Sequence, residues 1–118
     1  MIPEDVVRAE LDAWSSLDID QIMAHFTEDA TWVPAIGYPT SSGIAEVRNA
    51  IEGFLKVITK CDIEIVNLAV AANVVLTERV DRLVIDGKPH DAAGMGAFEV
   101  RGDKIAAWRD YFAAGGHD

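Results

Sequence analysis

Three charged residues occupy positions where two strand-like segments would ordinarily carry hydrophobic side chains. Arg79 and Asp81 are two residues apart, so in a β-strand their side chains point to the same face, and Asp110 lies in a later segment of similar character. By the same alternation their neighbours on those faces are apolar or aromatic: Val75, Leu83, Trp108 and Phe112. Because an unpaired buried charge is very unfavourable, we expect one guanidinium to hold two carboxylates.

An Asp–Arg–Asp set in an apolar pocket is suited to acid–base chemistry. One carboxyl group can stay protonated while its partner stays ionised, so an acid and a base coexist near neutral pH. Such a pair fits a reaction that protonates a leaving oxygen while it deprotonates a water. The same spacing fits equally well a buried ion-pair network that only holds the sheet together, and spacing alone leaves both interpretations open.

The elements that must position these charges are helices in the first half and strands in the second. Periodicity and turn residues predict, in chain order, a helix from Pro3, a short helix from Asp18, a strand at 30–33, a loop at 34–43, a helix at 44–59, and strands at 62–70, 74–85, 90–100 and 104–113. Asp86-Gly87 predicts a tight hairpin turn, and residues 114–118 are expected to fray. This order predicts a single α+β domain over residues 1–118, with a curved antiparallel sheet wrapped around helices.

Composition limits the possible functions. The chain has 118 residues and a formal net charge of -10, which argues against binding to nucleic acid or to anionic membranes. Cys61 is the single cysteine, so no internal disulfide can form, and no signal peptide or membrane-length apolar run is visible. We therefore predict a cytoplasmic protein. The three histidines and Cys61 show no metal-ligand spacing, so no metal site is predicted.

A family resemblance rests on the two charged segments. Residues 76–81 (LTERVD) and 104–112 (KIAAWRDYF) resemble the signature segments of the limonene-1,2-epoxide hydrolase family, and residues 26–30 and 96–100 fit its wider pattern. That family belongs to the nuclear transport factor 2-like (cystatin-like) superfamily. The resemblance implies a cone-shaped α+β fold with a deep pocket, often dimeric, which agrees with the architecture predicted above.

The resemblance also implies roles for the three charged residues. Asp110 would be the base that activates water, Asp81 the acid that protonates the epoxide oxygen, and Arg79 the bridge between them, with no metal, cofactor or covalent intermediate. Trp32 stands where the family has a tyrosine that helps to hold the water, and the family's asparagine has no counterpart in residues 30–35. The implied partners are a small, mostly apolar epoxide, water, and a second copy of the chain in a homodimer.

Substrate-binding residues are expected on the inner faces of the same elements. The candidates are Trp32, Ile58, Leu83, Gly94, Trp108 and Phe112. Ala92, Gly94 and Gly96 share one strand, and their small size fits either a roomier cavity or a more strongly curved sheet. Two other functions stay open: an isomerase or polyketide-cyclase-like enzyme of the same fold, and a non-catalytic small-molecule-binding dimer.

Overall fold

The helices lie in the first half of the chain, as predicted. In a computed structural model that describes residues 1–113, α1 spans Pro3–Ala13, a 3-10 turn spans Trp14–Ser16, α2 spans Ile19–Met23 and α3 spans Ile44–Leu55. Pro3 and two acidic residues open α1 at the positive end of its dipole. The Asp18 carboxylate caps α2 by accepting hydrogen bonds from two backbone N–H groups. The expected tail at 114–118 lies outside the described residues.

Six strands form one curved sheet. They are β1 (Phe26–Val33), β2 (Ser41–Ser42), β3 (Ile58–Ala71), β4 (Val74–Ile85), β5 (Lys88–Arg101) and β6 (Lys104–Phe112), in the spatial order β2-β1-β6-β5-β4-β3. The α+β fold and the order β4-β5-β6 are confirmed, as is the tight turn, where Asp86 and Gly87 both have positive φ. One pair of strands is not antiparallel. β1 and β6, the first and last strands in the chain, run parallel to each other.

Three predicted boundaries were wrong. The helix expected to reach residue 59 ends at Leu55, and Ile58 begins β3 instead, because Val57, Ile58 and Thr59 are β-branched and favour a strand. The strand expected at 30–33 starts earlier, where Phe26 pairs with Ile105 of β6. The predicted loop contains β2, which pairs with β1. In the last two cases a distant partner strand, invisible to local patterns, decides the structure.

The core lies between the helices and the inner face of the sheet. It is formed by Val6, Val7 and Leu11 of α1, Val47 and Ile51 of α3, and strand residues that include Phe98, Ile105 and Trp108. Both longer helices are amphipathic, so each turns one apolar stripe towards the sheet. None of the helices described between residues 1 and 113 has the length and apolar character that a membrane crossing requires.

Candidate active site

The Arg79 guanidinium is buried, and all five of its N–H groups have partners. Nε and Nη2 donate to Oδ1 and Oδ2 of Asp81 at 3.1 and 2.9 Å. Nη1 and Nη2 donate to Oδ1 and Oδ2 of Asp110 at 3.0 and 2.9 Å, and Nη1 also donates to Oγ1 of Thr77 at 3.2 Å. Bidentate guanidinium–carboxylate contacts fix both distance and orientation, so one arginine sets the geometry of both acids.

Strand register brings these side chains together from β4 and β6 across β5. Thr77, Gly96 and Asp110 form one row across the three strands, and Arg79 belongs to the next row. A Cβ atom at Gly96 would lie 2.6 Å from Oδ1 of Asp110 and would overlap Nη1 of Arg79. Because Gly96 has no side chain, Arg79 and Asp110 have room to contact each other above it.

Gly94 makes a similar space for an aromatic ring. A Cβ there would lie 2.5 Å from Cδ1 of Phe112 and 2.6 Å from the carbonyl oxygen of Tyr111. Neither glycine enlarges the cavity, because neighbouring side chains already fill the volume that each leaves. Of Ala92, Gly94 and Gly96, Ala92 is the one that lines the cavity. Of the two interpretations left open for Gly94 and Gly96, the roomier cavity does not hold at these two positions for that reason.

Burial and ion pairing act on the site in opposite directions. Burial disfavours the charged form of Arg79, but hydrogen bonds and charge from Asp81 and Asp110 outweigh it, so the pKa of Arg79 is raised and it stays cationic. Burial also raises the pKa of Asp110, against the opposing hydrogen bonds from Arg79 and Trp108. Trp108 Nε1 donates to Asp110 Oδ1 at 2.7 Å. Asp110 therefore accepts three hydrogen bonds, which support its anion, while its raised pKa makes it a stronger base wherever it is ionised.

A cavity of about 420 Å³ opens in front of the two carboxyl groups. Asp81 and Asp110 are its charged lining residues, and Arg79 lies behind them, away from the lumen. The rest of the lining is mostly apolar or aromatic: Trp14, Trp32, Pro34, Tyr38, Ala50, Phe54, Cys61, Ile63, Leu83, Ala92, Trp108 and Phe112. Pockets of this size hold small organic ligands, and this one would present an acid and a base to an apolar molecule.

The sequence of the chain matches one known protein family over nearly its whole length. The family model described as the limonene-1,2-epoxide hydrolase catalytic domain matches residues 2–115. The chain belongs to the limonene-1,2-epoxide hydrolase family. It is accordingly an epoxide hydrolase or a related enzyme of the same fold, and the family predicted from the two charged segments is confirmed.

Solved structures agree with this family. An LEH-like epoxide hydrolase from M. tuberculosis is 26% identical, with a TM-score of 0.84 over 95% of this chain and 83% of that one. A Catenulispora acidiphila protein with a ketosteroid isomerase-like fold is 22% identical, with a TM-score of 0.84 over 98% and 90%. The epoxide hydrolase/cyclase-like enzyme SalBIII, described for its role in pyran ring formation in the polyether salinomycin, is 17% identical, with a TM-score of 0.87 over 98% and 93%. The last two show the nuclear transport factor 2-like fold alone.

In this member of the limonene-1,2-epoxide hydrolase family, most of the predicted site residues lie at one cavity. Asp81 and Asp110 line it together with Trp32, Leu83, Trp108 and Phe112, with Arg79 behind them. Two predicted substrate-binding residues lie elsewhere. Ile58 is packed in the core at the start of β3, and Gly94 borders a separate shallow depression with Glu78, Met95 and Tyr111.

Several residues that line the cavity were not predicted from the sequence. Trp14 comes from the 3-10 turn after α1, Tyr38 from the loop before β2, Phe54 from α3, and Cys61 and Ile63 from β3. Trp14 and Phe54 lie at helical spacing from other apolar residues, and this pattern alone does not separate them from core residues. The available signal was their size, since large aromatic residues on several elements often share one pocket.

Two buried polar atoms have no hydrogen-bond partner among residues 1–113: Nε1 of Trp32 and Oε1 of Glu10. The other carboxyl oxygen of Glu10 accepts a hydrogen bond from Nε1 of Trp14 at 3.1 Å, which holds that indole in place. Burial raises the pKa of Glu10 well above its usual value, and the Trp14 hydrogen bond only partly opposes this. Glu10 is thus a buried acid in α1 that supports the aromatic wall from behind.

Proposed function

We propose that this protein hydrolyses a small, mostly apolar epoxide to a vicinal diol in one step, using Asp110 as base, Asp81 as acid and Arg79 as their bridge. The observation that carries the proposal is the guanidinium of Arg79, which holds both carboxyl groups at 2.9–3.1 Å at the wall of an apolar cavity. A network that only stabilised the sheet would not need both acids to face a cavity.

The proposed step balances its protons within the site. Asp110 takes a proton from water as the water oxygen bonds to an epoxide carbon. The carbon–oxygen bond of the ring breaks, and the epoxide oxygen takes the proton of Asp81. The Asp–Arg–Asp set has no net charge before or after, because one proton has moved onto one carboxyl group and another has left its partner. A proton then returns from Asp110 to Asp81, while Arg79 stays charged.

The hydrogen-bond pattern supports this division of roles. Asp110 accepts three hydrogen bonds and Asp81 accepts two, both from Arg79. The three donors orient the Asp110 carboxylate, and burial raises its pKa, so its ionised form is a stronger proton acceptor, which suits the base. Trp32 and Pro34 line the cavity where other members of the family hold water with a tyrosine, and proline has no N–H to donate. The Trp32 indole N–H has no partner within residues 1–113, but its nitrogen is enclosed by the protein, so it offers no donor to a water in the cavity.

The test is a panel of epoxides assayed for diol with wild type, Asp110→Asn and Asp81→Asn. Each substitution should lower the rate by about 10²-fold or more, the usual contribution of one positioned proton transfer. The matched control is Asp62→Asn, an exposed aspartate on the same sheet, which should leave the rate unchanged. A single turnover in ¹⁸O-labelled water should place the label in the diol, since no covalent intermediate forms. Diol formation that survives both active-site substitutions would sink the proposal.

The alternative enzyme, an isomerase that moves protons at carbon, receives less support from this geometry. Its base must follow a proton between two carbon atoms, whereas Arg79 pins both carboxyl groups. Exchange of α-protons of a ketone in heavy water, without any epoxide opening, would favour the isomerase. Tight binding of apolar ligands with no turnover would favour the non-catalytic dimer.

We also propose that the enzyme is a cytoplasmic homodimer. Four large side chains on the outer face of β3 to β6 are 43–51% exposed, which supports an interface there: Val66, Leu76, Met95 and Tyr111. The single cysteine supports a reducing compartment.

A further inference from the structure

The cavity is lined by an unusual share of the chain's aromatic residues. Six of its fourteen lining residues are aromatic, and we call these six the aromatic lining: Trp14, Trp32, Tyr38, Phe54, Trp108 and Phe112. The whole chain has nine aromatic residues, so two thirds of them, including every tryptophan, face one cavity. They come from five separate segments: the 3-10 turn, β1, the loop before β2, α3 and β6.

The three tryptophans contact one another and reach the proposed base. Ring centroids are 6.0 Å apart for Trp14 and Trp108, 6.1 Å for Trp32 and Trp108, and 6.3 Å for Trp14 and Trp32. The indole N–H of Trp108 is bonded to Asp110, and that of Trp14 is bonded to Glu10, so two of the rings are fixed in rotation. Phe54, with 36% exposure, extends the cluster towards solvent by contact with Trp14 at 6.1 Å.

Aromatic walls discriminate between ligands that aliphatic walls treat alike. Leucine or valine would exclude water from the cavity equally well, but only rings carry a quadrupole that favours offset-stacked and edge-to-face contact with another ring. Each such contact strengthens binding by about three- to tenfold beyond what area burial supplies. The faces of these rings also favour the partial positive charge that develops on an epoxide carbon as its bond to oxygen breaks.

We propose that the natural substrate class is aryl epoxides, in which a flat aromatic ring lies against the aromatic lining while the epoxide faces Asp81 and Asp110. This inference rests on the proposed function and deepens it by naming the group attached to the epoxide. Among residues 1–113 the lining offers no cationic side chain to the rest of the substrate, and its carboxylates serve the reacting oxygen and water. The substrate's ring therefore carries no negative charge.

The experiment compares two epoxides of equal carbon skeleton: benzyloxirane and (cyclohexylmethyl)oxirane. A methylene group separates ring from epoxide in both, so the ring does not conjugate with the reacting carbon and the intrinsic reactivities are similar. For wild type, kcat/KM should favour the benzyl compound by at least about threefold, mainly through KM. Phe54→Leu and Phe112→Leu should each bring this ratio towards one. Tyr111→Leu, which removes an aromatic side chain that does not line the cavity, should leave the ratio unchanged.

Each outcome separates this inference from the proposed function. Diol formation from both epoxides at equal kcat/KM would refute the aryl preference and leave epoxide hydrolysis standing. A benzyl preference that persists in both cavity variants would also refute it, because the aromatic lining would not be the source. No diol from these compounds or from a wider epoxide panel would refute the proposed hydrolase itself.

Discussion

Gly96→Ala adds one methyl group where the structure has least room for it. The new Cβ would lie 2.6 Å from Oδ1 of Asp110 and 3.2 Å from Cε1 of Phe98, and it would overlap Nη1 of Arg79. To reach ordinary contact at 3.4 Å, the Asp110 oxygen must move by about 0.8 Å, the difference between 3.4 and 2.6 Å. The guanidinium must also move, although all five of its N–H groups are committed to hydrogen bonds.

The expected losses follow from that displacement. Overpacking a buried site by one methyl group costs about 1–3 kcal/mol of unfolding free energy. In a domain of this size each kcal/mol corresponds to roughly 4 °C, so Tm should fall by about 4–12 °C. A misplacement of nearly 1 Å between base, water and substrate lowers the rate by about 10²-fold. We therefore expect Gly96→Ala to fold with reduced stability and to lose nearly all epoxide opening.

The assay is diol formation under conditions where circular dichroism shows the variant to be folded, alongside a thermal melt. The matched control is Gly53→Ala, since Gly53 lies within α3 and an added Cβ there meets nothing within 4 Å. That control should keep its activity and gain about 0.5–1 kcal/mol from the better helix propensity of alanine. If Gly96→Ala retained wild-type activity and wild-type Tm, then Arg79 and Asp110 would not meet over Gly96, and the assignment of the site would fail with it.

Two further predictions concern buried titratable groups. Burial raises the pKa of Glu10 well above 4.5, so its stabilising contribution is complete below about pH 4.5 and is lost as pH rises through the raised value. Glu10→Gln keeps an acceptor for the Trp14 indole but has no proton to lose. The Tm of this variant relative to that of wild type should therefore rise between about pH 4.5 and pH 8. A constant difference in Tm across that range would contradict the expectation. Burial raises the pKa of Cys61 to about 12. At about pH 8 its thiolate fraction is near 10⁻⁴, so a disulfide reagent should label it rapidly only after unfolding, and rapid labelling of the folded protein would show the site to be wrongly described.

The charged residues of the site were predictable because strand alternation is a local rule. Arg79 and Asp81 share a face whenever residues 74–85 form a strand, and Glu78 and Arg82 then face solvent, where they pair with Asn67 and Glu64. The hairpin at Asp86-Gly87 sets the register of β4 and β5 by turn geometry alone. Given these two local features, Asp110 comes close to Arg79 if strands that are adjacent in sequence are also adjacent in the sheet.

The sequence by itself determined which charges face inward, the α+β order of elements and, through two segments, the family. The tertiary structure decided the rest: that Gly96 clears the path between Arg79 and Asp110, that Ile58 belongs to the core and Gly94 to a filled space, and that Trp14 and Phe54 line the cavity. The physical reason is range. Backbone alternation and turns depend on neighbouring residues, whereas a cavity wall is the meeting of side chains from elements far apart in the chain, and an apolar helix face looks the same whether it borders the core or the cavity.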